Sequence, residues 1–96
     1  MYKIVFTKQA LKDLQKLKDA GISAKAKKLI DIIREAPYQN PPGYEKLVGN
    51  LEGILSRRIN IQHRLVYQVY EDHFVENNIE YHGTIKIIRM WTHYDL

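Results

Sequence analysis

The stretch "SRRINIQHRLVYQV", residues 56–69, sets three arginines and a histidine inside what otherwise reads as two β-strands. A guanidinium keeps its charge at any physiological pH and presents a planar fork of donors, so strand arginines usually face either water or a bound anion. Side chains alternate faces along a strand. A three-residue connection at Ile61–His63 would set Asn60 opposite Arg64, Ile59 opposite Leu65, Arg58 opposite Val66 and Arg57 opposite Tyr67. Leu55, Ile59, Leu65 and Val69 then share one face, while Arg58, Asn60 and Arg64 share the other. A connection one residue shorter would mix charge with core on both faces, which disfavours it. Arg57 falls with Tyr67 on the apolar side or its rim. In the last strand, 84–92, taking Ile88 and Met90 as core sends Arg89, Trp91 and His93 to the open face. Guanidiniums fit phosphate oxygens and aromatic rings stack on bases, so this face suits a phosphodiester flanked by nucleobases. The competing reading is a wet sheet face with scattered charge.

Several elements must position that face. "YKIVF" is a short run of β-formers, and Thr7 after it is a candidate helix N-cap. Ala10, Leu11, Leu14 and Leu17 recur at helical spacing between lysines, and Gly21 stops the helix. Ile22, Ala26, Leu29, Ile30 and Ile33 form a second apolar stripe that ends before Pro37. With almost no linker between them, the two helices should form an antiparallel hairpin whose apolar stripes are core. Residues 38–53 read as a long loop with two prolines and three glycines, and such loops are commonly functional. Asn77-Asn78 is a turn signal and His82-Gly83 a break before the terminal strand. Strand, two helices and a run of strands predict a single α+β domain over residues 1–96, β-α-α-β-β-β, with the helical hairpin packed on one face of a mostly antiparallel, twisted sheet.

Bulk properties narrow the function. The net charge is +4 with a pI near 9.3, which favours an acidic partner such as nucleic acid or an acidic protein. Residues 1–48 hold ten Lys/Arg against five Asp/Glu, and residues 49–96 hold five against six. The first excess is lysine spread along helices, a solvated face; the arginines of the second half are the more concentrated. There is no cysteine, so disulfides, thiolate metal sites and thiol nucleophiles are excluded together. His63, His73 and His82 stand nine or ten residues apart without a local pair, so no metal site is expected. The five-residue apolar run at the start is too short for a membrane span, and a soluble, cytoplasmic domain is expected.

The motifs taken together resemble the YoeB (Txe/YoeB) family of toxin–antitoxin modules within the RelE-like toxins. They are Glu45 before Leu47, Asn50-Leu51-Glu52-Gly53, Ser56-Arg57-Arg58-Ile59, His63-Arg64-Leu65-Val66-Tyr67 and His93-Tyr94, in that order. With the preceding helical hairpin the resemblance covers nearly the whole chain. It implies a RelE-like fold and a ribosome-dependent endonuclease that cuts mRNA in the A site of the 70S ribosome. It also implies neutralisation by an acidic YefM-like antitoxin, operator DNA binding only as the toxin–antitoxin complex, a possible homodimer, and no cofactor. By position, Glu45 would be the general base, His93 the general acid and Arg64 the transition-state clamp. Arg58 would bind the backbone, and Tyr94 would help position the nucleotide. Lys46 and His63 are further RNA-binding candidates, although His63, beside the turn, reads as structural rather than catalytic. Val48 stands where a lysine is expected, with Lys46 close enough to substitute. The segment Asp72–Gly83 is longer than in the shortest members and predicts an extended β-hairpin. The alternative is a non-catalytic module of the same fold that co-represses an operator or inhibits another target such as gyrase.

The implied chemistry suits these residue types. A metal-independent ribonuclease needs a base for the 2′-hydroxyl, an acid for the leaving 5′-oxygen and positive charge for the phosphorane. A carboxylate, an imidazole with an ordinary pKa of about 6.5 and a guanidinium supply the three.

Overall fold

The computed structural model describes residues 1–47 and 53–91. Val48, the Asn50-Leu51-Glu52 step, His93 and Tyr94 lie outside them. The elements are β1 (Tyr2–Phe6), α1 (Lys8–Asp19), α2 (Ser23–Glu35), β2 (Glu45–Lys46), β3 (Ile54–Arg58), β4 (Arg64–Tyr70), β5 (Phe74–Glu76), β6 (Ile79–Tyr81) and β7 (Gly83–Arg89). The expected strand–helix–helix–strand order holds, with β2 added to it. The main sheet runs β1-β7-β4-β3-β2, parallel between β1 and β7 and antiparallel elsewhere, and β5–β6 is a separate ribbon.

Local chemistry sets the boundaries. Thr7 caps α1, its hydroxyl oxygen accepting from the Ala10 amide at 2.9 Å. Gly21, at φ 74°, ends α1 by letting the Ile22 amide reach back to the Leu17 carbonyl and its own amide to that of Lys18. Asn77 and Asn78 both take positive φ, the backbone a two-residue hairpin turn requires, and the extended hairpin expected over Asp72–Gly83 is present. Gly83 opens β7 where a side chain has no room: a Cβ there would stand 1.9 Å from the Tyr70 carbonyl oxygen.

The apolar stripes of both helices close over one face of the sheet. Ala10, Leu17, Ala26, Leu29, Ile30 and Ile33 meet Leu55, Ile59, Leu65, Tyr67, Ile85, Ile87 and Met90. Burying such side chains stabilises the domain by roughly 1.5–3 kcal/mol each before chain entropy is counted.

Two register expectations need correction. Arg58, not Asn60, stands opposite Arg64, and the Ile59 amide bonds the His63 carbonyl, so the connecting residues are Asn60, Ile61 and Gln62. The Asn60 side chain draws this turn tight, its Oδ1 accepting from the amides of Gln62 at 2.9 Å and His63 at 2.7 Å. The turn keeps three residues and moves back by one, so every side chain stays on its expected face.

In β7 the expectation fails. Val66 pairs with Arg89 but Tyr67 pairs with Ile87, which leaves Ile88 as a bulge. The Ile88 carbonyl accepts from the Thr7 hydroxyl instead. Ile85, Ile87 and Met90 are therefore the buried set, and Ile88 is only half-buried. Arg89 turns to Asp13 on α1, and Trp91 stacks on His63 beneath Lys16 of the same helix. Neither joins the open face.

Candidate nucleic-acid site

The open face of the sheet is built from two adjacent rungs. In the first, Glu45 on β2, Ser56 on β3 and Val66 on β4 lie side by side; in the second, Arg58 on β3 faces Arg64 on β4. Glu45 belongs to a two-residue edge strand rather than to the loop expected there, so hydrogen bonding to β3 fixes its direction. Gly43, Tyr44, Glu45, Ser56, Arg58 and Arg64 line a groove of about 360 Å³. Across it Arg64 Nη1 lies 3.7 Å from Glu45 Oε1, with the arginine side chain 22 % and the carboxylate 67 % exposed.

Charge is unbalanced here by design of the register. Like charges directly opposite on neighbouring strands repel, and Arg58 and Arg64 are so placed, with one carboxylate near Arg64. The three side chains carry a net charge of about +1, counted from two guanidiniums and one carboxylate. An anion entering the groove would relieve that repulsion, and the arginine forks match phosphate oxygens.

The loop that delivers Glu45 is held by a residue on the other face. Arg57 is completely buried. Its Nε donates to the Tyr67 hydroxyl at 2.9 Å, its Nη2 to the carbonyls of Pro37 at 3.0 Å and Gln39 at 2.8 Å, and its Nη1 to that of Pro42. The Tyr44 ring covers the guanidinium at 4.8 Å, and the Tyr67 hydroxyl donates in turn to Pro37. Burial pushes the Tyr67 pKa up, opposed in part by Arg57. Loop, β3 and β4 are thus tied at one point, and the nearest tied carbonyl, that of Pro42, is three residues before Glu45. Sequence reasoning put Arg57 on the correct side but gave it no task; the available signal was an arginine at a core parity.

Asp13 anchors the far end in a similar way. Its buried carboxylate accepts from Arg89 Nε at 2.9 Å, the Met90 amide at 3.0 Å and Gln9 Nε2 at 2.9 Å. Burial alone would raise its pKa, but the bonds from Met90, Gln9 and Arg89 outweigh that and hold it below the ordinary 3.8. The backbone is thereby fixed three positions before His93.

Of the sequence candidates, Glu45, Arg58 and Arg64 meet in the groove. Lys46 pairs with Leu55, whose side chain is core, so alternation turns Lys46 away from Glu45, and it is not part of the groove lining. His63 is 3 % exposed and stacked on Trp91, with ring centroids 4.1 Å apart, on the helix side. It packs against Trp91 and is not among the residues that line the groove. His93 and Tyr94 are outside the described residues.

The chain is similar in sequence and fold to several known proteins. Residues 6–94 match the family described as YoeB-like toxin of bacterial type II toxin–antitoxin systems. Toxin YoeB of Escherichia coli K12 is 39 % identical over 64 residues, which are 67 % of this chain and 76 % of that protein. A YoeB/ParE toxin from Agrobacterium tumefaciens superposes with a TM-score of 0.79 at 28 % identity, covering 96 % of this chain and 99 % of the other. A Staphylococcus aureus toxin solved as a YoeB–YefM complex superposes with a TM-score of 0.70 at 32 % identity, covering 98 % and 99 %.

Proposed function

This chain belongs to the YoeB-like toxins of bacterial type II toxin–antitoxin systems, and from that premise we propose that it is an endoribonuclease which cuts mRNA in the ribosomal A site. The observation that carries the reading is the Glu45–Arg64 pair, 3.7 Å apart in a groove that a second arginine shares. In the proposed reaction the Glu45 carboxylate takes the proton of a 2′-hydroxyl as that oxygen attacks the adjacent phosphorus. Arg64 leaves Glu45 for the non-bridging oxygens and stabilises the charge that builds on them, a contribution of roughly 3–4 kcal/mol by comparison with loss of one oxyanion donor. His93 gives a proton to the departing 5′-oxygen. The P–O5′ bond breaks, leaving a 2′,3′-cyclic phosphate, open to hydrolysis to a 3′-phosphate, and a 5′-hydroxyl. Arg58 holds the neighbouring backbone, and Tyr94 positions the nucleotide. Base, acid and cation are all side chains, so no step is routed through a metal.

The Staphylococcus aureus relative is seen bound to YefM and also as a YoeB dimer. For this chain we read an acidic antitoxin that covers the basic open face, a homodimer, operator DNA bound only through the toxin–antitoxin complex, and action in the cytoplasm. No helix among the described residues is long and apolar enough to cross a membrane.

Purified protein on translating ribosomes, read by primer extension, should give A-site cuts that disappear in Glu45→Ala and His93→Ala. Full cutting by the His93 variant would remove that residue from the acid role. No cutting by the wild-type chain would favour a non-catalytic binding module.

A further inference from the structure

Ser56 sits at the centre of the first rung, between Glu45 and Val66, with Arg58 and Arg64 on the rung beside it. It lines the groove, is 2 % exposed, and its Oγ has no hydrogen-bond partner among the described residues. Buried hydroxyls are nearly always bonded, so an orphan in the floor of a site calls for a partner that arrives later. The neighbours narrow the choice. Val66 has no polar side chain and guanidiniums only donate, so the acceptor in Ser56's own rung is the Glu45 carboxylate. Directly paired residues on one face have Cβ atoms about 4.5–5.5 Å apart, within reach of a serine hydroxyl and a glutamate carboxylate. In the free protein that carboxylate is turned to Arg64.

We propose that Ser56 is a positioning residue for Glu45: its hydroxyl donates to the carboxylate when a phosphate draws Arg64 away. One carboxylate oxygen then takes the serine proton's hydrogen bond while the other faces the 2′-hydroxyl. Glu45 stays aimed at the moment it loses its arginine. The inference rests on Glu45 being the base.

The test is single-turnover cleavage of A-site mRNA on programmed ribosomes across pH, with wild type, Ser56→Ala and Ser56→Thr, beside thermal melts of each. A hydrogen bond to the ionised form lowers a carboxyl pKa, so Ser56→Ala should move the acid limb of the saturated rate upward by about 0.5–1 unit. The limb of rate over half-saturation, which reports the free protein, should not move. The saturated rate at neutral pH should fall roughly tenfold. Ser56→Thr should restore limb and rate. Because alanine removes an unsatisfied buried hydroxyl, its melting temperature should equal or exceed that of wild type. A lower melting temperature with an unmoved acid limb makes Ser56 merely structural and overturns the proposal. So does a threonine variant that melts like wild type but cleaves like alanine. Glu45→Gln separates the two levels. If it cleaves at the full rate, the base reading falls and Ser56's role with it; if it is inactive while Ser56→Ala matches wild type at every pH, only the Ser56 proposal falls.

Discussion

The two sides of the β3–β4 ribbon carry the same residue type in opposite circumstances. On the helix side Arg57 has no solvent exposure and spends its donors on one hydroxyl and three loop carbonyls. On the open side Arg58 and Arg64 face each other, with one carboxylate at 3.7 Å from the second. Adjacent positions in one strand thus hold a guanidinium that is finished and one that is waiting. The difference lies in satisfaction rather than in charge: a buried cation must have every bond made, whereas a partly exposed one can leave its fork for a ligand.

Substitution should expose that contrast. Arg57→Ala leaves the Pro37, Gln39 and Pro42 carbonyls and the Tyr67 hydroxyl short of a donor. It should destabilise the fold by about 3–5 kcal/mol in urea unfolding, with activity lost only as the fold is lost. Arg64→Ala should do the reverse, cutting ribosome-dependent cleavage by about 10²–10³-fold while stability changes by less than about 1 kcal/mol, since it also removes repulsion with Arg58. If both variants lose stability equally, the two faces do not divide structure from chemistry. Asp13 tests the smallest effect. Its folded pKa is depressed, so its contribution is complete above 3.8 and is lost as pH falls through the lower folded value. Wild-type stability should decline on acidification through that window, and Asp13→Asn should be less stable at neutral pH and lack this part of the decline. Parallel pH curves would remove Asp13 as an acid-sensitive anchor of Arg89 and Met90.

Where one face had to be apolar, the sequence was readable. Alternation assigned Leu55, Arg57, Ile59, Leu65 and Tyr67 correctly even though the turn was placed one residue late, because a two-residue change in pairing preserves parity. The helices and the Asn77-Asn78 hairpin were equally plain, each carrying its own stop and turn chemistry. What could not be read depends on distant partners. The Ile88 bulge needs the Thr7 hydroxyl, and the inward turn of Arg89 needs Asp13, more than seventy positions away. Two residues of β2 are too few to show a period. Of the site, the resemblance pointed to Glu45, Arg58 and Arg64, which the fold brings together. The orphan state of Ser56 was invisible, since a serine between apolar and basic residues announces nothing by its type.

The position of β7 also governs when this chain can become itself. It lies between β1 and β4, and among the described residues β1 pairs with no other strand in the main sheet. During synthesis the first strand and both helices therefore emerge long before β7, which joins β1 to the rest of the sheet, and residues 83–89 must leave the ribosome before the sheet closes. Until then Arg89 and Met90 have not met Asp13, and the helices have only half of their apolar floor. A nascent copy is therefore loose and incomplete until β7 has emerged, and only then can the finished sheet form.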